Sequence, residues 1–309
     1  MQRRLFVRAG LGAALGAGLA ACQTPVPLPS VPPATPPSGP AAPPASPPAP
    51  PRPPRIGLAL GGGAARGFAH IGVIQVLEEA GIKPDLVAGT SAGSLVAALY
   101  AAGKSGAELA RLALAMDESA ITDWSFPGRG LIRGEALARY VREQTGGRLI
   151  EQLPMPLGIV ATDLDSGEAV LFRRGDTGAA VRASSAVPAV FQPVKIGTRE
   201  YVDGGLVSPV PVRFAREMGA QLVLAVDIST PPDGAATGDA FKLLLQTFSI
   251  MGRSINQFEL RDADLVLRPA LAGVSSADFT ARKRAIDAGR AAAQALLPAL
   301  RQKIAAQTR

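Results

Sequence analysis

Short apolar runs alternate with segments whose apolar residues recur at helical spacing, from residue 56 almost to the end of the chain. The runs predicted as strands are 56–60, 85–88, 157–161, 169–172, 194–196, 201–202, 222–226 and 265–267. The predicted helices are 68–79, 94–102, 181–188, 209–218, 240–262 and 281–301, and residues 105–150 are predicted to be mostly helical. Strands that alternate with helices favour an α/β fold with a mostly parallel sheet covered on both faces.

An apolar segment without clear periodicity interrupts residues 105–150. It comprises residues 124–128 (W-S-F-P-G), followed by Leu131 and Ile132. The segment could line a substrate channel or pack into the core. Packing into the core is what we expect, because it is the more common fate of such side chains.

Residues 1–21 have the pattern of a secretory signal peptide. Arg3, Arg4 and Arg8 precede an Ala/Gly/Leu run that is too short and too weakly apolar for a membrane-spanning helix. The run ends in Leu-Ala-Ala-Cys, which resembles the bacterial lipobox, in which the cysteine is acylated and becomes the mature N-terminus. Cys22 is the only cysteine, so it has no disulfide partner in the chain. We therefore expect a lipoprotein anchored to a membrane through Cys22.

The same leader carries signals for the export route and the destination. Arg3 and Arg4 resemble a twin-arginine export signal, although paired arginines are also common in ordinary leaders. Gln23 follows the cysteine where an Asp would favour retention in the inner membrane of enteric bacteria. These features favour a lipoprotein of the cell envelope, at the outer membrane.

Residues 22–54 are predicted to be a linker, since proline alternates there with Ala and Ser. Such a composition cannot bury a core and favours extended polyproline II, so the linker would reach about 90 Å at roughly 3.1 Å per residue. Residues 55–309 remain for a folded domain. Of the formal net charge of +7, only +3 belongs to that domain, because Arg3, Arg4, Arg8 and Arg52 precede it without acidic residues. A basic nucleic-acid-binding protein is therefore not indicated.

The five residues 89–93 read G-T-S-A-G and lie between a predicted strand and a predicted helix. Strand, sharp turn and helix form the context of a nucleophile elbow, in which the central serine, Ser91, stands at the tip of the turn. Gly89 and Gly93 would allow the turn to be tight and the helix to pack closely on the strand. From this motif alone, a plain Gly/Ser turn between two core elements is equally consistent.

A second glycine-rich loop, residues 61–67 (G-G-G-A-A-R-G), joins the first strand to the first helix. A dinucleotide-binding loop does not fit, because Arg66 stands where the third glycine of G-x-G-x-x-G belongs. An oxyanion hole fits better, since glycine N–H groups can point at a developing negative charge. A simple strand-to-helix turn is the remaining alternative, and three consecutive glycines are unfavourable for it.

Four separated blocks together resemble the patatin-like phospholipases, in particular their bacterial single-domain members, over residues 55–300. The blocks are residues 61–67, 89–93, 183–188 with Phe191, and 203–205. The resemblance implies a three-layer α/β/α fold and a Ser–Asp dyad instead of a triad. It also implies fatty-acyl esters of phospholipid or lysophospholipid as the substrate class.

Carried onto this sequence, the resemblance makes Ser91 the nucleophile and Asp203 of the D-G-G block the base. The implied oxyanion hole lies among Gly61, Gly62, Gly63 and Ala64. The residues implied to support the site are Arg66, Gly67, Gly89, Gly93, Gly204 and Gly205. The glycine block is one residue longer than its shortest form in the family, so which N–H groups donate stays open.

The histidine content independently favours a dyad. The only histidine, His70, lies upstream of Ser91 on the first helix, whereas α/β-hydrolases place theirs after the nucleophile. We expect His70 to serve packing or capping. No cluster of metal ligands and no cofactor motif is apparent, so we expect neither. Hydrolysis of other esters or thioesters, and lipid binding without turnover, are the alternative functions.

Overall fold

The computed structural model describes residues 52–117, 121, 123–124, 129–229, 238–275 and 277–309. The predicted signal peptide, Cys22 and nearly all of the predicted linker lie outside these residues, so their boundaries stay predictions. Within the described part, the backbones of Arg52 and Arg309 pair, with N–H to carbonyl distances of 2.6 and 3.1 Å. Residues 52–55 therefore lie beside the end of the last helix.

Ten strands build two sheets within the described residues. They are β1 (Ile56–Leu60), β2 (Leu86–Thr90), β3 (Gly130–Ile132), β4 (Leu157–Asp163), β5 (Ala169–Phe172), β6 (Ala189–Phe191), β7 (Val194–Ile196), β8 (Arg199–Asp203), β9 (Leu222–Val226) and β10 (Leu265–Leu267). The central sheet has the order β10-β9-β1-β2-β4-β8-β7, with β5 also paired to β4. The first five of these strands are parallel, whereas β8, β7 and β5 are antiparallel to their neighbours. The mostly parallel sheet is as predicted.

Eight helices accompany the sheet in the described part of the chain. They are α1 (Phe68–Glu79), α2 (Ala92–Ala101), α3 (Gly106–Ala115), α4 (Glu135–Gln144), α5 (Thr177–Ser184), α6 (Val212–Glu217), α7 (Ala240–Glu259) and α8 (Arg282–Gln307). None of them is long and apolar enough to cross a membrane.

Side chains alternate across the central strands, and the core is divided accordingly. Leu58 and Leu60 of β1 pack with α1, α2 and α8 on one face, whereas Ala59 packs with α6 on the other. The resulting α/β/α layers confirm the predicted fold class. The predicted helix over 181–188 is α5, which begins earlier, where the Asp176 carboxylate accepts from Ala179 N–H. It ends at Ser184, four residues before Pro188.

The expected core packing of residues 124–132 is wrong for Trp124, whose side chain is 74% exposed. Gly130–Ile132 forms β3, which pairs in parallel with β6 as a separate two-stranded sheet, and Trp124 bridges to Ile132. The backbone approach is close, because a Cβ on Gly130 would lie 2.3 Å from the Phe191 carbonyl carbon. Backbone pairing thus keeps this segment out of the core. Residues 125–128 lie outside the described part.

Candidate active site

Ser91 occupies a strained turn between β2 and α2. Its backbone has φ 52° and ψ −124°, a conformation that costs a non-glycine residue on the order of 1–3 kcal/mol. The flanking glycines make the turn possible. A Cβ on Gly93 would lie 2.1 Å from the Leu60 carbonyl oxygen, and one on Gly89 would lie 2.5 Å from the Gly93 carbonyl oxygen. Strand and helix therefore meet closely and present Ser91 at the carboxyl edge of the parallel strands.

Hydroxyl groups from other elements hold the elbow in place. The Ser91 N–H donates to Ser184 Oγ on α5 (2.8 Å), and Ser184 Oγ donates to the Val160 carbonyl (2.5 Å). On the other side, Ser94 Oγ donates to the Ser91 carbonyl (2.6 Å). The strained conformation is thus fixed by contacts with both α5 and the first turn of α2.

Asp203 is the last residue of β8 and pairs with Ala161 of β4, next to the end of β2. Its Oδ1 accepts from the Gly205 N–H at 2.7 Å, while Oδ2 is buried without a hydrogen bond of normal geometry among the described residues. Burial raises the pKa of Asp203 to about 6, although interactions with the Ser91 hydroxyl and the Gly205 N–H lower it. The structure therefore brings Ser91 and Asp203 together and leaves one carboxylate oxygen available.

The two glycines after Asp203 have separate steric roles. A Cβ on Gly204 would lie 2.2 Å from the Val160 carbonyl oxygen, so only a glycine at this position lets the chain pass β4. A Cβ on Gly205 would lie 2.9 Å from Asp203 Oδ1, the atom that its own N–H binds. The D-G-G sequence thus lets the backbone fold back onto its own carboxylate.

The glycine loop lies against Ser91, since a Cβ on Gly62 would lie 3.1 Å from Ser91 Cβ, but not all of its N–H groups are available. The Gly61 N–H donates to the Val226 carbonyl (3.1 Å), and the Gly62 N–H donates to the Pro209 carbonyl (2.9 Å). These two bonds conflict with an oxyanion role for the N–H groups of Gly61 and Gly62. The N–H groups of Gly63 and Ala64 make no hydrogen bond with the described residues, and Ala64 has a positive φ of 48°.

Residues on either side of the loop fix its position. His70 is fully buried and its Nε2 donates to the Gly61 carbonyl at 2.8 Å, which confirms the expected packing and capping role. Burial lowers the pKa of His70 to about 4, so it is neutral near pH 7. Burial also lowers the pKa of Arg66, and attraction to Asp227 partly offsets this. A Cβ on Gly67 would lie 2.8 Å from Ala92 Cβ, so the loop packs directly on α2.

An apolar cavity of about 170 Å³ opens beside Ser91. Its walls come mainly from α2, α3 and α4 and include Leu95, Leu99, Leu109, Leu112, Ala113 and Leu137. A larger cavity of about 700 Å³ lies near Leu157, where β4 begins, at the opposite edge of the sheet from Ser91. Since only the smaller cavity contacts Ser91, it is the one relevant to chemistry at this serine. No group of three or more potential metal ligands occurs among the described residues.

A second buried carboxylate supports the site, and the sequence analysis missed it. Both oxygens of Glu259, at the end of α7, accept from Ser208 Oγ (2.7 and 2.8 Å), and Arg213 Nε lies 3.2 Å from one of them. The Ser208 carbonyl in turn accepts from Thr90 Oγ1 at 2.8 Å, next to the nucleophile. Burial raises the pKa of Glu259 to about 7. The segment 208–209 thus connects α7 with the end of β2 and, through Pro209, with the glycine loop.

Comparison with known proteins agrees with this architecture. Residues 58–216, about half of the chain, match the family model described as patatin-like phospholipase. An uncharacterized NTE family protein of Mycobacterium tuberculosis is 41% identical over 186 residues, which cover 59% of this chain and 51% of that protein. Patatin-like phospholipase domain-containing protein 6 of Mus musculus is 33% identical over 232 residues, which cover 72% of this chain and 16% of that protein.

The fold has a solved counterpart in the crystal structure of VipD from Legionella pneumophila. The TM-score is 0.56 at 16% identity, and the match covers 81% of this chain and 68% of VipD. The chain spans about half the length of the mycobacterial relative, so the likeness concerns the shared domain. With the family model matched over residues 58–216, the chain belongs to the patatin-like phospholipase family.

Proposed function

We propose that this protein is a serine acyl hydrolase of lipid esters in which Ser91 and Asp203 act as a catalytic pair. One observation carries the proposal. Ser91 stands at a strained elbow beside an apolar cavity, and the buried carboxyl of Asp203 lies close enough for the Ser91 hydroxyl to lower its pKa. Nucleophile, base and a place for an acyl chain therefore share one location.

In the acylation step, Ser91 Oγ attacks the ester carbonyl carbon and its proton passes to Asp203. The N–H groups of Gly63 and Ala64, which make no hydrogen bond with a described residue, bind the resulting oxyanion. Collapse of this intermediate breaks the ester bond, and the leaving alcohol takes the proton from Asp203.

In the deacylation step, water attacks the acyl-enzyme while Asp203 accepts its proton. Collapse of the second intermediate releases the fatty acid, and Ser91 Oγ regains the proton. A pKa of about 6 suits Asp203 to this role, because the carboxylate is ionised at neutral pH yet remains a useful base. No step needs a metal or a cofactor.

The substrate class follows from the cavity and the family. A narrow apolar cavity beside Ser91 accommodates an acyl chain, and none of the described residues in its walls carries a charge that could bind a polar substrate. We assign the activity to phospholipid or lysophospholipid, whereas other esters and thioesters would use the same residues. Acylation of Cys22 would hold the enzyme in the cell envelope, at the outer membrane, next to such substrates.

The test measures fatty acid release from phospholipid vesicles and hydrolysis of a soluble short-chain ester. Ser91→Ala and Asp203→Asn should each lower turnover of both substrates by about a thousandfold or more. Ser166→Ala and Asp165→Asn, at an exposed turn, are matched controls and should leave turnover unchanged. A folded wild type that is inert on both substrates would exclude the hydrolase function, and vesicle binding without turnover would then indicate a lipid-binding protein.

A further inference from the structure

Helix α7 exposes most of its apolar side chains. Of its residues, only Asn256 is buried. The large apolar side chains that it exposes are Phe241, Leu243, Leu244, Ile250, Met251 and Phe258. Phe258 is 64% exposed, although a phenyl ring gains considerably from burial. A helix with this pattern indicates a surface that contacts something apolar.

Three of the exposed apolar residues lie together along the helix, and the charged residues of the helix before Glu259 are basic. Leu244, Met251 and Phe258 recur every seven residues, so they form one stripe along the axis. From Ala240 to Phe258, the helix carries Lys242 and Arg253 and no acidic residue. Lys242 and Arg253 lie on the side of the helix opposite this stripe, and such a separation of apolar and basic side chains is the pattern of helices that lie in the interface of a bilayer.

The helix also overhangs the catalytic edge of the sheet. The Pro209 ring would contact a Cβ on Gly252 at 3.5 Å, and the Gly205 carbonyl oxygen would lie 3.9 Å from it. Glu259 at the helix end binds Ser208. Since these contacts belong to the segment that begins at Asp203, a surface bound to α7 would be next to the reacting groups.

The attachment of α7 to the domain is imperfect. Asn256 is only 3% exposed, and neither its side-chain oxygen nor its nitrogen makes a hydrogen bond with the described residues. An unsatisfied buried amide is unfavourable, so α7 is held less firmly than a fully paired helix would be. Such a helix can adjust its position when its outer face meets another surface.

We propose that the outer face of α7 docks onto the surface of an anionic phospholipid bilayer, with the helix lying in the plane of the interface. Leu244, Met251 and Phe258 then enter the acyl region, and Lys242 and Arg253, on the opposite side of the helix, reach the lipid phosphates along their aliphatic stems. A second copy of the chain is the alternative occupant, and its oligomeric state distinguishes it in the test. The biological purpose rests on the proposed function, but the docking itself does not.

The test uses the full-length chain with Cys22→Ala in every variant, so that the predicted lipid anchor does not contribute. Binding to vesicles of equal parts phosphatidylcholine and phosphatidylglycerol is measured by flotation. The triple variant Leu244→Ser, Met251→Ser, Phe258→Ser should bind at least about tenfold more weakly, because it removes three large apolar side chains from the contact. Lys242→Glu with Arg253→Glu should abolish the preference over pure phosphatidylcholine.

A matched control replaces exposed leucines elsewhere, Leu114→Ser, Leu149→Ser and Leu164→Ser, and should bind like the parent. All variants should keep the parental circular dichroism spectrum and thermal unfolding midpoint, which verifies that they fold, and should hydrolyse the soluble ester at the parental rate. Unchanged vesicle binding by the triple variant would overturn the proposal, as would a shift from dimer to monomer in size-exclusion chromatography. Vesicle binding through α7 by a protein that hydrolyses nothing would leave the docking surface intact and refute only the proposed function.

Discussion

Burial raises the pKa of two carboxyl groups on the same side of the site, Asp203 to about 6 and Glu259 to about 7. Keeping such groups ionised inside the protein is unfavourable, because their charges lose hydration that a few hydrogen bonds do not fully replace. Asp203 is also left with one oxygen that makes no hydrogen bond of normal geometry with a described residue. This arrangement lowers the stability of the folded protein, while the Asp203 carboxylate stays able to accept a proton.

Asp203→Asn should therefore stabilise the protein while removing its activity. The folded-state pKa of about 6 exceeds the usual 3.8, so the folded wild type binds this proton more tightly than the unfolded chain does. Its free energy of unfolding thus falls as pH rises from about 4 to about 6, and this loss persists at higher pH. Above pH 6 the variant should be more stable by about 1–3 kcal/mol.

Urea denaturation between pH 4 and pH 8 measures this difference. The advantage of the Asn variant should disappear towards pH 4, where Asp203 is protonated in both states. A difference that does not vary with pH would mean that desolvation of the charge is not its cause. Asp165→Asn, at an exposed turn, is the control and should show no such trend.

Residues that belong to a local motif could be predicted, whereas hydrogen bonds that connect distant parts of the chain could not. Ser91 and its glycines are recognisable because strand, turn and helix are contiguous in sequence. Ser184 belongs to the block 183–188, but its hydrogen bond to the Ser91 N–H was not predictable, and neither was the bond between Glu259 and Ser208. A single sequence holds no record of such hydrogen bonds, since a serine or a glutamate is ordinary at either position.

At the scale of elements, α7 is joined to the site by Glu259 alone among its charged side chains. Glu259→Gln keeps the size of the side chain but removes the charge that faces Arg213 and the Ser208 hydroxyl. Asp262 is the other charged group that influences this carboxyl. We expect the segment 208–209 to be held less firmly and kcat on the soluble ester to fall roughly tenfold, with KM little changed.

The pH profile separates this positioning role from a purely structural one. In the wild type, activity should fall as pH decreases through about 7 and about 6, as Glu259 and then Asp203 gain protons. Glu259→Gln should retain only the step near pH 6. Glu168→Gln, at an exposed turn, is the control. Two unchanged steps in the Glu259 variant would contradict the assignment.

The cavity between α2, α3 and α4 makes a prediction about chain length. Ala113→Leu adds methyl and methylene groups to its wall, which should exclude long acyl chains and leave short ones unaffected. The ratio of long-chain to short-chain ester turnover should fall about tenfold or more. Ala115→Leu, exposed on the same helix, should leave the ratio unchanged. An unchanged ratio in the Ala113 variant would place the acyl chain elsewhere.

Strands buried on both faces were predictable because they appear as continuous apolar runs between turns. Strands β3 and β6 were not, since each is three residues long and pairs with a distant partner outside the central sheet. Trp124 shows the limit of the argument from composition. Its side chain is as apolar as any core residue, yet backbone pairing at Gly130–Ile132 determines where the segment lies.

At the scale of the whole molecule, the two ends of the described chain meet at one place. Arg52 pairs with Arg309, and residue 56 begins β1 at the amino edge of the parallel strands. Ser91 lies beyond the opposite edge, where β2 ends. A lipid on Cys22 would therefore be joined to the side of the domain that lies opposite Ser91.

For a protein anchored through Cys22, the length of the predicted linker would decide whether the domain can turn over and face the membrane that anchors it. A domain of this size is roughly 40–50 Å across, so a linker reaching about 90 Å suffices. Removing residues 28–51 should sharply lower hydrolysis of lipids in the membrane that carries the protein, with soluble ester turnover unchanged. Replacing them by a Gly/Ser chain of equal length should restore this hydrolysis, because the geometry requires only that the linker be long enough. Equal lipid hydrolysis by the variant with the shortened linker would mean that the domain acts on a membrane other than the one that anchors it.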